Sequence, residues 1–250
     1  VVRSRYGQIA DTLAAELGEL EPGTKVASEH SIATRFGVSR AAARAAVQEL
    51  EGRLLVRRVR GAGTFVNRRI DYVISQRKAP SWHRTVREAG ARPRSVVREV
   101  SPCELPAEQA SLLERSEFAR AHRLVRQYYV DGLLTSVSKE WIPADVVADI
   151  DLAVHAEESV DTILRQMGRV CPVRAWCRVS YSIPDAETVR ALETEPHRPV
   201  WLVESMSRDT ASGRPVMCST TWSLPESSRI VVELETSPEN LEEREETHES

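Results

Sequence analysis

The chain has no run of 18 apolar residues, so no helix is expected to span a membrane. Its first residues, VVRSRYGQIAD, hold no apolar signal core, and the expected location is cytoplasmic. None of its four cysteines, Cys103, Cys171, Cys177 and Cys218, forms a CxxC pair. They are expected to be reduced and mostly buried, and no zinc site is expected. There is no HExxH, no GxSxG, no Walker loop and no pair of acids placed for catalysis. The six histidines are scattered. An enzyme is therefore not expected, and neither a cofactor nor a metal is called for. No internal repeat is visible.

What is present is a packed-core composition, with 41% apolar residues over 250 residues, which leaves room for two domains. The net charge of −3 hides an asymmetry. Residues 1–70 hold 12 Lys/Arg against 7 Asp/Glu, a net of +5, and the remaining 180 hold 22 against 30, a net of −8. A basic head on an acidic body points to a polyanionic partner for the head alone.

The stretch SRAAARAAVQEL, Ser39 to Leu50, organises the head. As a helix it places Ala43, Ala46, Val47 and Leu50 on one apolar stripe at i, i+3, i+4 and i+7. Arg40 and Arg44 lie one turn apart on another face. Small alanines beside two arginines suit the DNA major groove, where a guanidinium can bond two acceptors on a guanine edge. Upstream, Tyr6, Ile9, Leu13 and Leu17 predict a first amphipathic helix, ended at Pro22-Gly23. Ser28 caps a second helix with Ile32, Ala33 and Phe36 inward, and Gly37 ends it. Gly52 is expected to end the third helix. Leu54 to Arg60 then reads as a strand, Gly61-Ala62-Gly63 as a hairpin turn, and Thr64 to Val66 as the returning strand. The result is a helix-turn-helix with a basic wing.

The pattern PGTKVASEHSIATRFGVSRAAARAAVQELEGRLLVRRVRGAGTFV resembles the winged helix-turn-helix of the GntR superfamily of bacterial transcription regulators. The resemblance implies DNA contacts by Arg35, Ser39, Arg40 and Arg44, and by the wing around Gly61 and Gly63. Arg58 and Arg60 add positive charge there. The usual arginine after the Ser-Glu pair is His30 here, and the usual lysine between the wing glycines is Ala62.

Residues 67–79 read as a charged linker with a short extended piece at 70–74. The body is placed at 80–235. Ser81 starts a helix, SWHRTVREAG, whose N-terminus with Ser81, His83 and Arg84 is a candidate anion site; an ordinary capped surface helix is the other reading. Arg123 to Val130 alternates as a strand, with Leu124, Arg126, Tyr128 and Val130 on one face. Arg126 there needs an anionic partner, either an internal carboxylate or a ligand. LLTSVSKEWIP returns as the second arm of a hairpin. A helix follows over Ser159 to Met167. Arg174 to Ile183 reads as a strand with Ala175, Cys177, Val179, Tyr181 and Ile183 as its apolar face. A helix capped by Asp185 and strands at Val200–Arg208, Pro215–Ser223 and Arg229–Leu234 complete an α+β body with an antiparallel sheet.

The segments RQYYVDGLLTSVSKEWIP, ESVDTILRQMG and SRDTASGRPVMCSTTW are similar to the UTRA domain of the HutC subfamily, with its chorismate-lyase-like fold. That resemblance implies an effector pocket using Ser81, His83, Arg84, Arg126 and Tyr128. Three positions depart from the family pattern: Tyr128 stands for a second arginine, and Ser138 and Met217 for glutamates. A small anionic effector is expected. Residues 236–250 are read as an acidic disordered tail. Together these readings predict a homodimeric repressor that binds pseudo-palindromic double-stranded operator DNA and is released by a small anion. An activator or a ligand-independent regulator remains an open alternative, and a lyase of the body fold a remote one.

Overall fold

The computed structural model describes residues 4–59, 61–75 and 80–233. The expectations for Arg60 and for the acidic tail lie outside the described residues.

The head comprises residues up to Arg69 together with Glu226–Ser228. Helix α1 spans Arg5–Leu17, α2 Glu29–Phe36 and α3 Arg40–Gly52. Each begins where a serine hydroxyl accepts a hydrogen bond from the backbone N–H three residues on: Ser4 from Gly7, Ser28 from Ser31, Ser39 from Ala42. Gly37, at φ +59°, turns the chain out of α2. Helix α3 ends at Gly52, as expected, and the left-handed residue that turns the chain away is Leu54 at φ +59°. Most of the predicted core is observed: Ile9, Leu13 and Leu17 of α1 meet Ile32 of α2 and Ala43, Ala46, Val47 and Leu50 of α3. Phe36 is only partly buried, and Tyr6, expected on the same stripe of α1, lies at its first turn and is 43% exposed. Strands β1 (Val56–Val59) and β2 (Gly63–Val66) form the wing hairpin. Residues 24–26 add alongside β2, with Val26 N–H donating to Thr64 O at 2.8 Å and Val66 N–H to Thr24 O at 2.8 Å.

The body begins at Ile70. Strand β3 (Ile70–Ile74) coincides with the short extended piece expected within the linker, and it pairs with the last strand of the chain. Ile70 is buried with Val86, Ala91 and Val130, which is enough to order it. The remaining elements are α4 (Trp82–Glu88), β4 (Pro93–Glu104), α5 (Ala107–Leu112), β5 (Arg120–Val130), β6 (Leu133–Pro143), α6 (Ile150–Ala156), α7 (Val160–Gln166), β7 (Pro172–Ser182), α8 (Ala186–Leu192), β8 (Val200–Asp209), β9 (Pro215–Ser223) and β10 (Ser228–Val232). Six strands make one antiparallel sheet in the order β4-β5-β6-β9-β8-β7.

The sheet has two unlike faces. One packs Ala121, Met206, Cys218, Trp141 and Trp176 beneath α5, and Val125, Val137, Val200 and Trp222 beneath α8. The other carries Leu124 and Ile142 against α6 and α7. On that second face the middle of the sheet is polar: Arg126, Tyr128, Ser138 and Glu140 are all buried.

A β-bulge between Arg174 and Trp176 changes the expected faces of β7. The plain alternation put Arg174 and Trp176 together. The extra residue instead sends Trp176 to the apolar face beside Met206 and leaves Arg174 on the same side as Cys177. Tyr181 and Ile183, expected on an apolar buried face, are 61% and 56% exposed. The cysteines are free, but Cys171 is exposed, and Cys103 and Cys177 are half-buried.

Candidate DNA interface and effector site

Helix α3 buries its alanine stripe and leaves Arg40, Ala41, Arg44 and Gln48 on the outside. No ion-pair or hydrogen-bond partner of the Arg40 side chain is found among the described residues. Arg44 is 64% exposed at its side chain and pairs with Glu29 at 3.2 Å. Glu29 also receives Arg58 of the wing at 3.2 Å, and Arg58 in turn meets Glu51 at 3.2 Å. One carboxylate at the start of α2 thus joins the third helix to the wing. No local signal in the sequence shows this pairing, because it joins three elements. All three side chains are partly exposed, so a phosphate can exchange for the carboxylate at small cost.

Arg35 is held differently. Both of its terminal nitrogens donate to Glu16 of α1, at 2.8 and 2.5 Å, and its guanidinium lies 4.9 Å from the Phe36 ring centre. The Glu16 hydrogen bonds raise its pKa further. Arg35 clamps α2 to α1, and its expected DNA contact would require breaking that pair. Ser39 places its hydroxyl on Ala42 N–H, so its first role is to start α3. Gly61 and Gly63 sit at φ +76° and +124°, conformations that side chains rarely adopt, and so the wing tip needs glycine at both.

In the body, Arg126 and Tyr128 lie on the polar sheet face, His83 is linked to it through Glu158, Ser81 serves as the cap of α4, and Arg84 is half-exposed. Arg126, on β5, donates through Nε to Glu140 Oε2 at 2.9 Å and through Nη2 to Glu140 Oε1 at 2.7 Å. It also donates to the Tyr128 hydroxyl, and through Nη1 to Glu158 O at 2.9 Å. Tyr128 and Ser138 donate to Glu140 Oε1 at 2.7 and 3.0 Å. The anionic partner that Arg126 required is therefore an internal carboxylate. Burial alone would raise the Glu140 pKa, but the charge and hydrogen bonds of Arg126 outweigh it and hold the carboxyl below its ordinary range. The pair is neutral as a unit. Glu140 was missed, although it lies two residues after Ser138 and so on the same face of β6.

Ser81 caps α4 with a 3.4 Å bond from Arg84 N–H. Trp82 packs on Tyr128 with ring centres 4.7 Å apart. His83 is 4% exposed and lies 3.5 Å from Glu158 Oε2, which also accepts from Ser95 N–H at 2.7 Å. Burial, and then the nearby Arg126 charge, lower the His83 pKa, so the imidazole is neutral at pH 7. Arg84 points the other way, 54% exposed, 3.9 Å from Asp161. Met217, one of the departures, packs against the apolar cluster of α6 and α7.

Comparison with known proteins agrees with this division. The family model for the UTRA domain matches residues 88–228, and that of the bacterial regulatory proteins of the gntR family matches residues 5–66. The HTH-type transcriptional regulator GgaR of Escherichia coli is 29% identical over 213 residues, covering 84% of this chain and 83% of the relative. The mannosyl-D-glycerate transport/metabolism system repressor MngR of Escherichia coli is 25% identical over 206 residues, covering 81% and 84%. Among solved structures, PhnF from Mycobacterium smegmatis superposes with a TM-score of 0.62 at 18% identity, covering 92% of this chain and 100% of that one.

Proposed function

From the chain's membership of the GntR family of bacterial transcriptional regulators, with a UTRA effector-binding domain as its body, we propose that it is a homodimeric cytoplasmic repressor released from operator DNA by a small anionic metabolite. The observation that carries the DNA half is the outward pair Arg40 and Arg44 on α3, with Arg58 of the wing gathered to the same carboxylate as Arg44. In this reading Arg40 and Arg44 reach base edges, while Ser39, Arg58 and the backbone at Gly61 and Gly63 meet phosphates. Arg35 positions α2, and Arg60 adds charge to the wing. A single winged head covers few base pairs, so a two-fold dimer on a pseudo-palindrome supplies the needed affinity. The repressor role is supported by the name of MngR, which describes a repressor.

The effector half is placed on the polar sheet face, around Ser81, His83, Arg84, Arg126 and Tyr128. Arg126 there acts with Glu140 as a fixed scaffold. Effector binding favours one spacing of the two heads, and by linkage operator DNA must weaken the effector to the same degree. The test is binding of the purified protein to promoter fragments, with and without candidate acids. Arg40→Ala and Arg44→Ala should each cost about 1–3 kcal/mol per half-site on the operator. Equal losses on operator and random DNA would move that arginine from base to phosphate contact.

A further inference from the structure

The polar face continues past Glu140 toward the β7 edge. Glu140 is register partner of Ser219, Ser219 of Ser205, and Ser205 of Cys177. The Ser205 and Ser219 hydroxyls are 3.0 Å apart. One step further along the strands, Arg174 of β7 stands opposite Ser207 of β8, on the same face because of the bulge. Tyr72, on β3, lies over Arg174: Nη2 donates to the Tyr72 hydroxyl at 2.6 Å, and the guanidinium carbon is 5.3 Å from the ring centre.

Three facts make this corner unlike the Arg126 cluster. No carboxylate pairs with Arg174 among the described residues, whereas Arg126 is matched by Glu140. Arg174 Nε and Ser207 Oγ are buried with no hydrogen-bond partner, and Ser207 as a whole is 1% exposed. Tyr72 accepts from Arg174, and its own proton has no acceptor among the described residues. Burial raises the Tyr72 pKa, so the phenol stays protonated and remains a donor. The missing partner is therefore an acceptor: Arg174 Nε–H and the hydroxyls of Ser207 and Tyr72 are all donors in want of one, beside one uncompensated positive charge. Buried donors of this kind cost free energy until they are met.

We propose that Arg174, Ser207 and Tyr72 form the seat for the anionic group of the effector, a carboxylate or a phosphoryl oxygen cluster, while the Arg126–Glu140 pair beside it stays internally neutral. The inference rests on the reading of the body as an effector domain. It gives the effector its charge and places that charge at the β7 side of the sheet. Arg174 is only partly buried, so an anion can approach its outer nitrogens and engage Nε by a small shift of Tyr72. Tyr72 lies three positions after Arg69, the last head residue before the body begins.

The test uses the full chain, followed by thermal shift at constant ionic strength, with inorganic phosphate, methylphosphonate and succinate as separate probes. The seat predicts that at least one probe raises Tm in a concentration-dependent way. Arg174→Met should then weaken that probe about tenfold or more, and Ser207→Ala by a smaller but measurable factor. Arg178→Ala removes the same charge from the same strand and should leave the titration unchanged. Should Arg174→Met fail to fold, Ser207→Ala, which deletes one oxygen, decides. No response of the wild type to any probe overturns the seat, and so does a response that Arg174→Met and Ser207→Ala share unchanged. Operator binding measured without probe on the same samples keeps the two readings apart. Its loss in the wild type sinks the regulator proposal and leaves the seat to stand or fall on the titrations.

Discussion

Removing Arg126 is expected to damage the fold more than any single change at the effector site. The side chain is 5% exposed and so is that of Glu140. Two N–H···O contacts at 2.9 and 2.7 Å join them. Arg126→Ala leaves a buried carboxylate held by the Tyr128 and Ser138 hydroxyls at 2.7 and 3.0 Å, with no opposing charge. Breaking a buried pair from one side costs about 3–5 kcal/mol, a large share of the roughly 5–15 kcal/mol that holds a domain together. Arg126→Met with Glu140→Leu removes both charges, and the double variant should lose clearly less than the sum of the single ones. Urea unfolding of the full chain measures this, read by a probe in the body and compared by midpoint at constant slope. The sign with pH is fixed as well. Without Arg126, burial dominates at Glu140 and raises its pKa, so the folded state binds a proton that the unfolded chain binds less readily. The deficit of Arg126→Ala should then shrink as pH falls toward the ordinary glutamate range, about 4.3. A deficit below about 1 kcal/mol, or one additive with Glu140→Leu, would refute the reasoning, because buried charges left alone cannot be that cheap.

Three further outcomes follow from the same geometry. Ser39→Ala removes the acceptor for Ala42 N–H at the start of α3 and should cost about 1 kcal/mol of head stability in thermal unfolding, while Ser39→Gly should cost less. Arg58→Ala should flatten the dependence of log K on log salt by about one phosphate equivalent in DNA titrations, on specific and random duplex alike. The lowered His83 pKa means that the folded protein binds fewer protons there than the unfolded chain, so stability falls as pH drops below about 6.5. His83→Gln should remove that part of the acid slope in unfolding measured between pH 7 and 5.

The head was legible nearly residue by residue because its signals are local. Serine caps, a glycine in the left-handed region and an alanine stripe each act within one helical turn, and the core predicted from periodicity is observed except at Tyr6, which the first turn of α1 leaves exposed. The body was less so. Strand β4 and helices α5 and α6 went unread: β4 alternates weakly, and the two helices have no side-chain cap, unlike the equally short α4, α7 and α8, which Ser81, Ser159 and Asp185 start. The bulge in β7 is one inserted residue that periodicity cannot locate, yet it decides on which side of the sheet Arg174 lies. The need of Arg126 for an anion was visible from its apolar strand. That Glu140 supplies it depends on the register between β5 and β6, which no spacing rule within one strand contains. The pairing of Glu29 with both Arg44 and Arg58 brings together three elements and is tertiary in the same sense.

The most direct test of the regulator account is a fluorescence-anisotropy titration of the purified, ligand-free protein on a promoter fragment carrying two inverted half-sites, beside a random duplex of the same length. The account predicts preferential binding to the promoter fragment, and a loss of that preference in Arg40→Ala and Arg44→Ala with the fold intact. Indifference of the wild type to every promoter fragment, or unchanged preference in both variants, would contradict it.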